Sequence, residues 1–158
     1  MAAAQPAAAA RAIQCSPEWR LLPMNTDRTL AIPIVLRAGA ITLALAMTAG
    51  ILLGGRVPGA TGWIVAPWDK LVHALAYGAL AASWYVGIGG GGARLMMRAV
   101  LIAIATGAVD EWLQRDLNGR QPELVDLLAD TLGAFVGCWL SSVLLPPVVR
   151  VLRSLGLR

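Results

Sequence analysis

The segment ELVDLLADTLGAFVGCWLSSVLL, residues 123–145, decides the fold. As a helix rising about 1.5 Å per residue it extends about 34 Å, enough to cross a hydrocarbon core about 30 Å thick. After Asp130 it carries no charge, and Gly133-Ala-Phe-Val-Gly137 matches the small-residue motif by which membrane helices pack closely. Glu123, Asp126 and Asp130 interrupt only its first turns, and Pro146-Pro147 are expected to stop it.

Three further stretches read the same way. One covers residues 32–53, with its uncharged heart between Arg37 and Arg56. A second, residues 70–88, ends in the glycine-rich run GIGGGG (residues 87–92), which reads as a flexible hinge because no Lys-Ser/Thr pair follows to complete a phosphate loop. The third, residues 95–114, is marginal because Asp110 and Glu111 fall near its end. Between the spans lie a loop with Gly54, Gly55, Pro58, Gly59, Gly62 and Pro67, and the turn RDLNGRQPE (residues 115–123).

Composition agrees with this all-α, four-span membrane bundle. The chain has 158 residues, 58% hydrophobic and only 14% charged, with a mean hydropathy of +0.67. The spans occupy most of it, which leaves no room for a separate catalytic domain of ordinary size. Residues 1–30 form an alanine-rich leader expected to be disordered, with Met24 an equally natural start; residues 31–146 form the membrane domain, and residues 147–158 a basic tail. The net charge of +4 is almost wholly arginine, with Lys70 the one lysine, and no basic run interleaved with aromatics suggests nucleic acid. Cys15 and Cys138 are placed for neither a disulfide framework nor a thiolate metal site, and no cofactor is implied.

Arginines set the orientation. Arg11, Arg20, Arg28, Arg37, Arg94, Arg98, Arg150, Arg153 and Arg158 fall on the side of the termini, against Arg56, Lys70, Arg115 and Arg120 on the other. The positive-inside rule therefore predicts both termini in the cytoplasm, from either start. All seven acidic residues beyond Asp27 then gather at or just below the outer face: Asp69, Asp110, Glu111, Asp116, Glu123, Asp126 and Asp130, joined by the single histidine, His73.

Asp69, His73 and Tyr77 recur every fourth residue and stack on one helix face; Asp110 with Gln114, and Asp126 with Asp130, do likewise. Asp130 lies about 12 Å below the turn at Pro122, near the bilayer middle, where an ionised carboxylate costs at least about 2.5 kcal/mol unless paired, protonated or hydrated. Asp69 suits an N-cap as well as a catalyst, and Glu123 suits a helix start by dipole alone. Tyr77 suits an interfacial or hydrogen-bonded core position. Arg120 or Arg115 is the expected counter-charge for the carboxylates, which makes Asp126→Asn and Arg120→Gln the damaging changes, while Asp130→Asn is the mild one because asparagine keeps a hydrogen-bonding partner without the desolvation cost of a charge.

The segments DKLVHALAYGALA (residues 69–81) and TGAVDEWLQRDLNGRQPELVDLLADTLGAFVG (residues 106–137) resemble the VanZ-like family of bacterial membrane proteins. The pattern is D-K-x-x-H, then an acidic residue with glutamine, a G-R loop and D-x-x-x-[ND]-x-x-G, and the likeness covers about residues 35–145. It carries Asp69, Lys70, His73, Glu111, Gln114, Arg120, Asp126, Asp130 and Gly133 over as the family's polar and packing positions; Asp130 stands where asparagine is common. The resemblance implies a multi-pass protein of the bacterial inner membrane and cell envelope, in a family linked to low-level teicoplanin resistance by a mechanism not established.

Three functional classes follow from these residues. In the first, the outer-facing cluster binds or modifies a lipid-linked or cell-wall-related molecule, with His73, Glu111 and Asp126 as acid–base residues and Asp69, Lys70, Asp110, Gln114, Arg120 and Asp130 as binding residues. Lys70 and Arg120 would hold an anionic head group. In the second, Asp110, Asp126 and Asp130 form the relay of a small proton-coupled carrier, which four spans without an inverted repeat would complete as a homo-oligomer. In the third, the chain is a non-enzymatic accessory subunit packing through its glycines. Membrane lipids are partners in all three.

Overall fold

The computed structural model describes residues 31–54, 68–115 and 124–156, and all of its regular structure is helical. Four helices follow one another: α1 (Ile34–Gly54), α2 (Trp68–Gly87), α3 (Gly92–Gln114) and α4 (Leu124–Ser154). Among them α1, α3 and α4 are long and apolar enough to cross a membrane, which marks a multi-pass membrane protein. Their outward faces agree, because Leu43, Leu45 and Leu53 of α1 and Leu132, Val136, Leu140 and Val143 of α4 are all exposed. Such a continuous apolar surface is costly in water and costless against lipid.

The centre is α2, which packs most extensively on α4 and also touches α1 and α3. Its crossing with α4 is backbone on backbone. A Cβ at Gly133 would run into the carbonyl of Ala74, one at Gly137 into the carbonyl of Gly78, and one at Gly78 would lie 2.9 Å from the oxygen of Gly133. The expected packing motif thus does pack, and its receiving surface is Ala74 and Gly78. Around the crossing, Tyr77, Leu80, Ala81, Tyr85, Ala134 and Cys138 are buried together with Ala99, Val100 and Ala103 of α3.

Contacts fix the relative directions. Lys70 meets Asp126, His73 meets Asp130 and Gly78 meets Gly137, so α2 and α4 run parallel. At the far end, Arg37 donates to the carbonyl of Gly87 at 3.2 Å and Arg153 to that of Ala31 at 2.5 Å, which brings the start of α1 to the ends of α2 and α4. One end of the bundle therefore gathers Arg37, Arg94, Arg98, Arg150 and Arg153; the other gathers the acidic residues.

Two sequence expectations change. The glycine run is a closed turn rather than a flexible hinge: Gly90 donates to the carbonyl of Tyr85 at 2.9 Å, and Gly91 to the Tyr85 hydroxyl at 2.8 Å. Gly89 to Gly92 all have positive φ, which only glycine adopts without strain, so the run shapes the turn. Nor does α4 stop at Pro146-Pro147; it continues to Ser154. The prolines leave the carbonyls of Ser142 and Val143 without their helical donors. At about 46 Å, α4 is longer than a core about 30 Å thick, so part of a spanning α4 lies beyond the core. Buried Leu145 and Val149, one turn apart, hold the helix on course across the prolines.

Candidate functional site

Two helix starts and one helix end meet at the acidic end of the bundle. Because α2 and α4 run parallel, their first turns lie side by side, and each brings polar residues at three- and four-residue intervals: Lys70, His73 and Tyr77 on α2, Asp126 and Asp130 on α4. Lys70 Nζ donates to Asp126 Oδ1 in a short ion pair and lies 3.2 Å from Asp69 Oδ2. One turn deeper, His73 Nδ1 lies 3.0 Å from Asp130 Oδ1. Below that come Ala74 and Gly133, where the two backbones close. Charge therefore gives way to direct contact within two turns.

Burial grades along this ladder. The Lys70 and Asp126 side chains are 26% and 15% exposed, that of His73 is 22% exposed, and that of Asp130 only 2%. Asp130 is thus a carboxylate inside the bundle whose uptake His73 makes tolerable. An ionised Asp130 can only accept, which fixes the hydrogen on Nδ1 of His73 and leaves Nε2 as the basic nitrogen. The His73 ring also stacks on Tyr77, with centroids 6.2 Å apart and planes 11° from parallel.

The third wall is α3. Gly107 faces the pair so closely that a Cβ there would lie 3.0 Å from Asp130 Oδ2 and 3.3 Å from the Tyr77 ring. Asp110 and Gln114 follow on the same face, both buried. Glu111 is half-buried on the neighbouring face of α3. Helical hydroxyls add little, because Ser83, Thr106 and Thr131 are each spent on the carbonyl four residues back.

The structure therefore brings together Asp69, Lys70, His73, Asp126 and Asp130, with Asp110 and Gln114 on the facing helix. Among the described residues Lys70 is a counter-charge of Asp126, and Asp130 is a partner of His73. Lys70 is held by two carboxylates, Asp69 and Asp126. Arg115 is exposed, and Arg120, with Asp116 and Glu123, lies outside the described residues.

Gly107 escaped the sequence reading, although its place three residues before Asp110 on the same face was a usable signal. Among the described residues, no three of His, Cys, Asp and Glu converge as metal ligands. An apolar groove of about 720 Å³ runs along α2 and α4, lined by Leu71, Ala74, Gly78, Gly133, Gly137 and Leu140 among others, but none of the charged residues or Gln114 lines it. Chemically, the cluster offers a histidine oriented by a buried carboxylate, an arrangement suited to accepting and returning a proton. No family model, curated protein or solved structure matches the chain.

Proposed function

We propose that this is a VanZ-like protein of the bacterial cell envelope that crosses the inner membrane four times with both termini cytoplasmic. Its outer-facing cluster binds a lipid-linked or cell-wall-related molecule, and His73 moves a proton on it. The observation that carries this reading is the His73–Asp130 pair, 3.0 Å apart with the carboxylate side chain 2% exposed. An ionisable pair at that depth costs stability that apolar residues would not, and such groups in membrane helices mark functional pathways.

A fourth span is supported by the position of α2. Its 20 residues suffice for a core about 30 Å thick, and its polar first turns face α3 and α4 instead of lipid. The cytoplasmic side follows from the arginines gathered at the end opposite the cluster. Reporter fusions at Arg158 and near Gly59 should report opposite sides; the same side for both overturns four spans.

The functional test compares His73→Gln with the unaltered chain, at matched membrane levels, for teicoplanin susceptibility of the host. His73→Gln should abolish any protection the protein confers. Undiminished protection removes His73 from the mechanism.

A further inference from the structure

Two apolar grooves adjoin at the arginine end of the bundle. The first, of about 720 Å³, lies between α2 and α4 and runs from Val86 and Val148 to Leu71 and Leu132. The second, of about 850 Å³, lies among the start of α1 and the ends of α2 and α4, from Pro33 and Leu152 to Leu43. Leu36, Ala82 and Val86 line both, so the grooves share one end and diverge from it. At about 1.5 Å per residue, the first extends about 22 Å along α2 and the second about 15 Å along α1. One leaflet contributes about 15 Å to a hydrocarbon core about 30 Å thick, so each groove is deep enough for a chain of that leaflet.

Arginines flank the shared end. Arg37 follows Leu36 and donates from Nε to the carbonyl of Gly87, next to Val86; Arg153 follows Leu152 and donates to the carbonyl of Ala31, two residues before Pro33. A guanidinium carries five N–H donors, so each arginine keeps donors beyond that bond. Among the described residues no carboxylate pairs with either, and every acidic residue there lies at the opposite end of the bundle.

Unpaired positive charge above two diverging apolar grooves selects the occupant. A second copy inserted in the same direction would bring its own described arginines to this level, while its described carboxylates stayed at the other end. A phospholipid brings a phosphate, which guanidinium groups bind through paired charge-assisted hydrogen bonds, and two acyl chains joined at one head as the grooves are joined at one end. Basic pockets between membrane helices bind acidic head groups in this way.

We infer that the arginine end holds one anionic diacyl phospholipid of the adjacent leaflet, its phosphate on Arg37 and Arg153 and one chain in each groove. The inference requires only that the helices lie in a bilayer, and it is independent of the role given to His73.

The test uses the full chain in detergent, titrated with phosphatidylglycerol, phosphatidylcholine, lysophosphatidylglycerol or glycerol 3-phosphate. Native mass spectrometry counts the bound molecules, and the thermal midpoint is followed alongside. One phosphatidylglycerol per chain should bind and raise the midpoint, at least about tenfold more tightly than phosphatidylcholine or the one-chain lysolipid. Glycerol 3-phosphate, a head without chains, should do neither. Arg37→Gln with Arg153→Gln should weaken phosphatidylglycerol binding about tenfold or more. Arg98→Gln with Arg150→Gln removes the same charge at the same end and should leave binding unchanged. Arg98 belongs to α3, which lines neither groove, and Arg150 lies about 200° around α4 from Val148.

Equal binding of phosphatidylglycerol and phosphatidylcholine, or equal losses in the two double variants, overturns the inference and leaves the arginines as topology signals alone. Equal binding of the lysolipid overturns the assignment of one chain to each groove. Glycerol 3-phosphate binding as tightly as the lipid gives the arginines to free phosphate esters, and dimers in place of lipid-bound monomers give the grooves to a second copy; either overturns the inference.

Discussion

His73 and Asp130 meet at 3.0 Å across the α2–α4 crossing, the ring partly open and the carboxylate almost wholly enclosed. That asymmetry suits the roles in the proposed function, in which Asp130 would hold and orient His73 and His73 would exchange protons. Asparagine at position 130 still offers an oxygen to Nδ1–H, so Asp130→Asn should fold and insert at normal levels. It lacks the charge that stabilises the imidazolium, so whatever protection the protein confers should fall at least about tenfold, following the behaviour of buried acid–base pairs. This reverses the order expected from sequence, where Asp130→Asn was the mild change. Susceptibility assays on both variants, normalised to membrane level, decide between the two orders, and full protection by Asp130→Asn restores the earlier one.

Lys70 and Asp126 give a separate prediction. Removing one partner of a partly buried ion pair strands the other, whereas removing both exchanges the pair for neutral contacts. Lys70→Met should therefore lower the thermal midpoint in detergent more than Lys70→Met with Asp126→Asn does. Asp126→Asn alone should be the mildest of the three, because Lys70 keeps Asp69. A double variant no more stable than Lys70→Met would show that the pair contributes nothing to the fold.

Much of the fold was legible because membrane helices announce themselves by length and apolar content, and α1, α3 and α4 do so. The clustering of Asp69, His73, Asp126 and Asp130 was legible too, from helical spacing and alternation of direction. What spacing within a helix does not give is register between helices. Lys70 and Asp126 are 56 residues apart, and nothing local says that they pair while His73 takes Asp130. The same limit hid Gly107, whose role is visible only once α3 lies against that pair. The glycine turn and the prolines were misjudged for a different reason. Local propensity was outvoted by tertiary contacts, those of Tyr85 with Gly91 and of Val149 with the core.

The glycines of α4 provide a test of the crossing itself. Gly133 and Gly137 each face a backbone carbonyl of α2, so an added methyl group has no flexible side chain to displace. Gly133→Ala and Gly137→Ala should each cost about 1–3 kcal/mol through overpacking. Gly39 and Gly50, with open space around a Cβ, are the matched controls, and alanine there should be neutral or slightly stabilising. Gly133→Ala should also lower activity, because it pushes apart the helices that carry His73 and Asp130. Equal midpoints for Gly133→Ala and Gly39→Ala would mean that the close crossing is absent in the membrane.

The end of α4 yields the last prediction. Beyond Pro146-Pro147 the helix gains no help from its own backbone at two positions, so contacts must hold it: Val149 is 3% exposed, and Arg153 donates to the carbonyl of Ala31. Arg153 is an exposed contact, and Arg153→Ala should change stability little. Val149→Ala removes buried methyl groups and should cost about 1–3 kcal/mol. If residues 147–158 were only a basic tail, both substitutions would be silent. Hydrogen exchange on the chain in nanodiscs separates the alternatives directly. Amides of residues 150–154 should be protected in the unaltered protein and lose protection in Val149→Ala, while those around Asp130 keep theirs. Fast exchange of residues 150–154 in the unaltered protein would return the helix end to the prolines.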